Sequence, residues 1–338
     1  MNYRHHRRRT GGWKVLLFFQ IIILLILFLV AFLFIRLDAI PRENINRQAL
    51  EQVRVAGNFT NIALFGLDAE DGFARSDSIM IASINHRSGE VKVVSVFRDT
   101  LMLQADGSYN RANAAYAFGG PELAVRMLNR NLDLDIERFI AVEYKALTDI
   151  VDIVGGVLID VQPDEVELIN SHAGAVAEEL GRENIGIVTG PGPQMLNGLQ
   201  ATGYSRIRMT VGDDFRRAQR QRDVLQQIVS RSRTAGPRAW MQIMDEVIPN
   251  VSTNLTSFEM IRFGANLLRI RMDEMQGWPF EVTTSSNVAG LAGSYVIPIN
   301  HAGNVRQLHY FLFGNSQFQP SELVQQISGD ISWMTGIY

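Results

Sequence analysis

DSIMIASINHRSGEVKVVSVFRD, Asp77 to Asp99, decides how this chain folds. Its two apolar runs, ending at Asn85 and beginning at Glu90, are hydrophobic on both faces and rich in β-branched residues. That pattern marks central strands covered on two sides. If His86 to Gly89 form a four-residue loop, Asn85 pairs with Glu90 and Asp77 lies opposite Arg98. If the turn is Ser88 and Gly89 alone, Asp77 faces Thr100 and Arg98 moves over by one pair. Either register puts Asp77 and Arg98–Asp99 at one end of a single hairpin. A salt bridge closing the hairpin is the plain reading.

Outward from the hairpin, NFTNIALFGLD (residues 58–68) reads as a buried strand whose end delivers Asp68, with AEDGFA as the loop that follows. Downstream, Pro121 suits the first position of a helix carrying Leu123, Val125, Met127 and Leu128. ERFIAVEY reads as a strand, ALTDIVDIVGG as a helix closed by glycine, and VLIDV as another strand. Residues 163–195 read as a helix and an irregular excursion. IMDEVIPNV and SFEMIRFGANLLRIR read as helices, WPFEVTTS and SYVIPIN as late strands, and NVRQLHYFLFG as a final helix. Strands alternating with helices predict an α/β layered domain.

YSRIRMTVGDDFRRAQRQ (Tyr204–Gln221) concentrates Arg206, Arg208, Arg216, Arg217 and Arg220 around Asp213 and Asp214. A run of charge is most simply a solvated helical face. LNGLQATGYSR predicts a short helix before it, the alternation of Arg206 and Arg208 predicts extended backbone, and a helix begins at Asp214 with Asp213 or Asp214 as N-cap. Steps of 100° put Val224, Ile228, Leu225, Ala218 and Val229 on one apolar arc. Arg217 and Gln221 fall inside it, Arg220 at its edge, and Arg216 away from it, towards solvent. An arginine turned inward needs an anion, because an unpaired buried charge costs several kcal/mol.

The chain has 338 residues, a net charge of −3 and no cysteine, which excludes disulfides, thiol nucleophiles and Cys-zinc sites. Neither HExxH nor GxSxG occurs, and nothing in the charge balance points to nucleic acid. Val15 to Ile35 is apolar except for Gln20, long enough at 1.5 Å per residue to cross a hydrocarbon core of about 30 Å. A signal peptide is the competing reading, but its apolar region is shorter and ends in a small-residue cleavage site, which IRLDAIPREN is not. Arg4, Arg7, Arg8, Arg9 and Lys14 place residues 1–14 in the cytoplasm by the positive-inside rule. The organisation expected is a basic tail (1–14), a transmembrane helix (15–35), a polar stem (36–57) and one extracytoplasmic domain (58–338).

Six blocks in order, NIALFGLD, ARSDSIMIASIN, VVSVFRDT, NRANAAYAFGGPELA, IVGGVLIDV and YSRIRMTVGDDFRRAQRQRDVL, together resemble the LytR–CpsA–Psr family, over about residues 61–229. These are membrane-anchored enzymes that attach anionic polymers to peptidoglycan. The resemblance implies a single α/β/α-type domain with an apolar tunnel for a polyprenyl chain. It implies transfer of a glycopolymer, a teichoic acid, capsule or related polymer, from undecaprenyl pyrophosphate to a peptidoglycan hydroxyl. By the same resemblance Asp68 and Asp77 match Mg²⁺ ligands, and Arg98, Arg206, Arg208, Arg217 and Gln221 match pyrophosphate-binding residues. Arg111 stands where the family usually has Lys, and Arg220 belongs to the same motif as Arg217. Arg216 replaces a usual Gly. Asp99 and Asp214 are the two acidic positions either of which can serve as base. The rival readings are a polyprenyl-pyrophosphate phosphatase, with water as acceptor, and a non-catalytic binder of lipid-linked glycan. Binding of nucleic acid by the Arg-rich stretch conflicts with the expected topology.

Overall fold

The computed structural model describes residues 36–38, 42–51, 53, 55, 57–70, 73–208, 213–267 and 271–338. The basic tail and the apolar stretch Val15–Ile35 lie outside the described residues. Among the described residues no helix is long and apolar enough to cross a membrane.

In chain order the strands and helices are β1 (Phe59–Glu70), β2 (Phe73–Asn85), β3 (Glu90–Val96), β4 (Leu101–Leu103), β5 (Tyr109–Arg111), α1 (Ala114–Leu132), β6 (Arg138–Glu143), α2 (Tyr144–Ile153), β7 (Val157–Val161), α3 (Val166–Leu180), β8 (Gly192–Leu196), α4 (Gly198–Arg206), α5 (Asp213–Ser232), α6 (Pro237–Gln242), β9 (Val251–Thr253), α7 (Ser257–Leu267), β10 (Arg271–Trp278), β11 (Val282–Ser285), β12 (Tyr295–Pro298), α8 (His301–Phe313) and α9 (Glu322–Thr335). The main sheet has the order β10-β3-β2-β1-β6-β9. The β1, β2 and β3 strands run as an antiparallel meander, while β6 lies parallel to β1 and β10 parallel to β3.

Period-two alternation divides the sheet between two layers. Ala63, Phe65, Ile79, Ile81, Val94 and Val96 point to one side, where they pack on Val125, Leu128 and Leu132 of α1 and on Leu308 of α8. Met80, Ala82, Val91 and Val93 point to the other, towards Leu225 of α5. The result is a mixed α/β fold with helices on both faces. A second core joins β7, α3 and α4 to Val224 and Ile228 of α5. Each of the larger side chains among these, when fully buried, contributes about 1.5–3 kcal/mol.

Some boundaries differ from the sequence reading. The expected AEDGFA loop is largely strand, since β1 runs to Glu70 and β2 starts at Phe73. The helix expected at Pro121 is preceded by a turn from Ala114, and Gly120, at φ 62°, breaks the helical path just before Pro121. The helix read through Arg271 stops at Leu267, and Arg271–Trp278 becomes an edge strand beside β3. IMDEVIPNV contains a π-helical turn over Ile243–Val247, and α9 follows the helix read as final. The stretch read as a stem lies on the domain: Leu50 is fully buried in the main core, and Glu43 N–H donates to the Thr253 carbonyl at 3.2 Å.

Candidate active site: an arginine–aspartate cluster at the mouth of an apolar cavity

The β1–β2 ladder pairs Gly66 with Ser78 and then Leu67 with Ser76, leaving Asp77 as an extra residue in a β-bulge. Strict alternation would turn Asp77 towards the core with Ile79 and Ile81. The bulge instead lets Asp77 and Ser78 both line the cavity on the opposite face. Gly66 makes this possible, because a Cβ there would lie 2.9 Å from Ser78 Cβ. Gly66→Ala is expected to cost about 1–3 kcal/mol by overpacking the ladder and to lower activity by re-aiming Asp77. Denaturant unfolding, alongside turnover per folded molecule, checks both.

Pairing of Ile79 with Val96 extends to Asp77 opposite Arg98, which is the register of the four-residue turn. Arg98 Nη1 donates to Asp77 Oδ1 at 2.9 Å, and its Nε stands 3.6 Å from a carboxylate oxygen of both Asp99 and Asp214. Arg208 pairs with the other Asp77 oxygen. From α5, Arg217 donates through Nη2 to Asp214 Oδ1 at 2.7 Å. Arg217 is 3% exposed, as the helical projection requires, and among the described residues its Nη1 is buried without a hydrogen-bond partner. It thus keeps a spare donor in the cluster.

The charges set one another's titration. Burial alone would raise Asp77, but Arg98, Arg208 and Arg217 hold it below its ordinary value. Burial and the Arg98 guanidinium lower Arg217, which as an arginine stays charged. Asp99 and Asp214 are hydrogen-bonded to each other and split. Burial, with the hydrogen bond to Asp214 and its charge, pushes Asp99 up to about 6. Asp214 is lowered: burial opposes this, and the Asp99 hydrogen bond with Arg217 and Arg98 overcomes it. Of the two, Asp99 is the carboxyl that keeps its proton to higher pH. Two carboxyls driven apart in this way can take acid and base roles.

The other expected residues fall around this centre. Asp68 accepts from the Tyr144 hydroxyl at 3.2 Å and lies 3.7 Å from Arg206, whose guanidinium stacks over the Tyr144 ring. Tyr144, the first residue of α2, was not singled out from sequence. Its signal was its place directly after an apolar strand, where side chains reach the same sheet end as Asp68. Arg111 joins through Asp99 at 3.5 Å while donating to the Ser294 carbonyl. Gln221 lines the cavity, with Nε2 at 3.5 Å from the Ser205 carbonyl. Arg220, read as lying at the edge of the apolar arc and grouped with the phosphate binders, is fully buried. It donates to Glu165 at 2.8 Å and to the Ile207 carbonyl at 3.2 Å. Arg216 does not simply point to solvent, being held by Asp164 at 2.8 Å. Asp213 heads α5; the side-chain cap expected from it or Asp214 lies outside what the structure describes.

Behind the cluster, a cavity of about 390 Å³ runs between the sheet and helices α2 and α5. Leu64, Met80, Val142, Leu147, Val224 and Ile228 are among its walls, and its polar lining includes Asp77, Tyr144, Ser205 and Gln221. Among the described residues no group of three or more His, Asp or Glu is placed to hold a metal. Asp68 and Asp77, both buried, offer hard oxygens that fit a divalent cation as two of its ligands rather than as a full cage.

Residues 37–307 match the LytR_cpsA_psr family. The polyisoprenyl-teichoic acid--peptidoglycan teichoic acid transferase TagU of Bacillus cereus (strain AH820) is 32% identical over 210 residues, 61% of this chain. The chain spans 64% of that protein's length. Among solved structures, a transcriptional regulator from Enterococcus faecalis superposes with a TM-score of 0.63 at 21% identity, over 87% of this chain and 98% of that one. TagT bound to LI-WTA gives 0.59 at 19% identity, over 88% and 100%. At these identities the structural likeness is one of fold.

Proposed function

The chain belongs to the LytR–CpsA–Psr family, and from that premise we propose that it transfers an anionic glycopolymer from a polyprenyl pyrophosphate carrier to a peptidoglycan hydroxyl. One observation carries the reading. A cluster of arginines with a spare buried donor stands at the polar lining of a cavity whose walls are mostly apolar. That arrangement suits a guest with a multiply charged anionic head and a hydrocarbon tail. The name of the Bacillus cereus relative supports a teichoic acid as the polymer.

Arg98, Arg208 and Arg217 grip the pyrophosphate, with Gln221 at its lipid side and Arg206 and Arg111 flanking. The acceptor oxygen bonds to the glycan-side phosphorus, the bond from that phosphorus to the bridging oxygen breaks, and polyprenyl phosphate leaves. Asp99, once ionised, takes the hydroxyl proton, and Asp214 stays charged and orients it. The arginines stabilise the charge that develops on the leaving oxygens. Asp68 and Asp77 would hold Mg²⁺, which would there neutralise part of the pyrophosphate charge. Val15–Ile35 anchors the chain, with the domain outside the cell.

The test is incubation of the full chain with a polyprenyl-pyrophosphate-linked glycopolymer, peptidoglycan and Mg²⁺. Covalent attachment and release of polyprenyl monophosphate are expected, and a chelator should stop both. Release without attachment would make the protein a phosphatase, and tight binding without release would make it a binder. Because the base works only when ionised, activity should rise with pH through a limb centred near the Asp99 value of about 6. Asp99→Asn should remove that limb and cost about 10²–10⁴-fold, the usual worth of a general base.

A further inference from the structure

The cavity crosses the strands rather than following them. Asp77 and Met80 belong to β2, Ile140 and Val142 to β6, and Val251 and Thr253 to β9, the edge of the sheet. Past that edge the wall is made by Ile243 and Val247 on the π-helical turn, Ile248 just after it, and Met260 on α7. The chain arrives at the same place from its N-terminal side. Arg36 donates to Asp245 at 2.8 Å, Ser257 Oγ donates to Asp38 at 3.3 Å, and Ser252 Oγ donates to Glu43 at 2.8 Å. Arg36 is bonded directly to Ile35, the last residue of the apolar stretch Val15–Ile35. Beside these contacts two large apolar side chains face solvent, Met241 at 55% and Phe258 at 68% exposed.

We propose that the face formed by α6, the turn Ile243–Val247 and the start of α7 docks on the lipid bilayer, with the apolar end of the cavity against the membrane surface. The proposal rests on the reading of Val15–Ile35 as an anchor and of the cavity as a polyprenyl site. The length and position of the apolar stretch choose the occupant. A segment long enough to span a bilayer ends one residue before a side chain tied to this face, so the bilayer surface lies within a side chain's reach of it. Charge opposes contact only weakly, because Arg36, Arg42, Arg138 and Arg238 offset all but one of Asp38, Glu43, Asp245, Glu246 and Glu259. The contact is then apolar, with Met241 and Phe258 entering the interface and Trp240 beside them in the position aromatic side chains favour. The far end of a carrier's tail can then stay in the bilayer at this edge while its head is held at the arginine cluster.

The absence of cysteine allows single labels on the full chain. Met241→Cys, Phe258→Cys and Trp333→Cys each carry an environment-sensitive fluorophore, in vesicles of phosphatidylcholine and phosphatidylglycerol with nitroxide-labelled lipid. Trp333 is 79% exposed on α9 and serves as the control. Labels at 241 and 258 should lose most of their emission to the nitroxide at low and at high salt, while the label at 333 keeps its own. If the label at 241 or at 258 is quenched no more than that at 333, the docking face is wrong. Quenching does not depend on turnover. Quenched labels on a chain that transfers nothing would leave the docking standing and remove the proposed activity, and active chains with unquenched labels would do the reverse.

Discussion

Arg98→Ala is expected to lower turnover by about 10²–10³-fold, the loss seen when one preorganised donor to a developing anion is removed. Arg98 reaches Asp77 directly and lies within 3.6 Å of both Asp99 and Asp214. Its loss removes a phosphate donor and also a counter-charge shared by three carboxylates. Asp99, which Arg98 now pulls down against burial, should titrate higher, so the acidic limb of the pH profile moves up together with the fall in rate. Arg98→Lys restores the charge without the planar fork and should recover only part of the rate. Steady-state kinetics across pH, on protein whose unfolding transition is unchanged in cooperativity, make the measurement. A turnover within a few-fold of the parent would mean that Arg98 is only a hairpin clamp.

Glu165→Ala is expected to be the most destabilising of the single changes considered, by about 3–5 kcal/mol, because it leaves a buried guanidinium without its counter-ion. Glu165 and Arg220 are each about 2% exposed, and Arg220 is held by that carboxylate at 2.8 Å. Arg216 loses a second partner at the same time. Replacing both charges, Glu165→Leu with Arg220→Met, should recover most of the loss, since no ion is then left stranded. Chemical denaturation measures the stabilities. Turnover of the folded double variant decides the role of Arg220: retained activity makes it a tether for α5, and abolished activity returns it to the phosphate-binding set.

The hairpin and the central strands were legible because their signal is local. Runs such as IMIASI and VKVVSV declare two covered faces, and the four-residue turn sets which residues face each other. Arg217 was legible through the 100° step of a helix, which placed it among Val224 and Ile228 before any partner was known. The bulge was not. It depends on Gly66, eleven residues before Asp77, meeting Ser78 across the ladder. The full burial of Arg220 was not legible because its partner, Glu165, comes from a segment read only as a helix and an irregular excursion, and helical geometry alone does not report a counter-ion supplied by another element. Tyr144 and the split between Asp99 and Asp214 arise from tertiary packing and mutual burial, which no spacing encodes. The edge strand Arg271–Trp278 was hidden by the apolar helix before it, whose periodicity ran on into the strand.

Because the cavity lies across the strands, its depth is counted in strands. From β2 through β1 and β6 to β9 it spans three inter-strand gaps, roughly 15 Å at about 4.8 Å each. Lengthening or shortening any strand leaves that reach unaltered, whereas gaining or losing an edge strand changes it by one whole step. The short strand Val251–Thr253 is therefore a gauge block: removing it from the pairing would let out about one step of any guest, and adding a neighbour would take in one more.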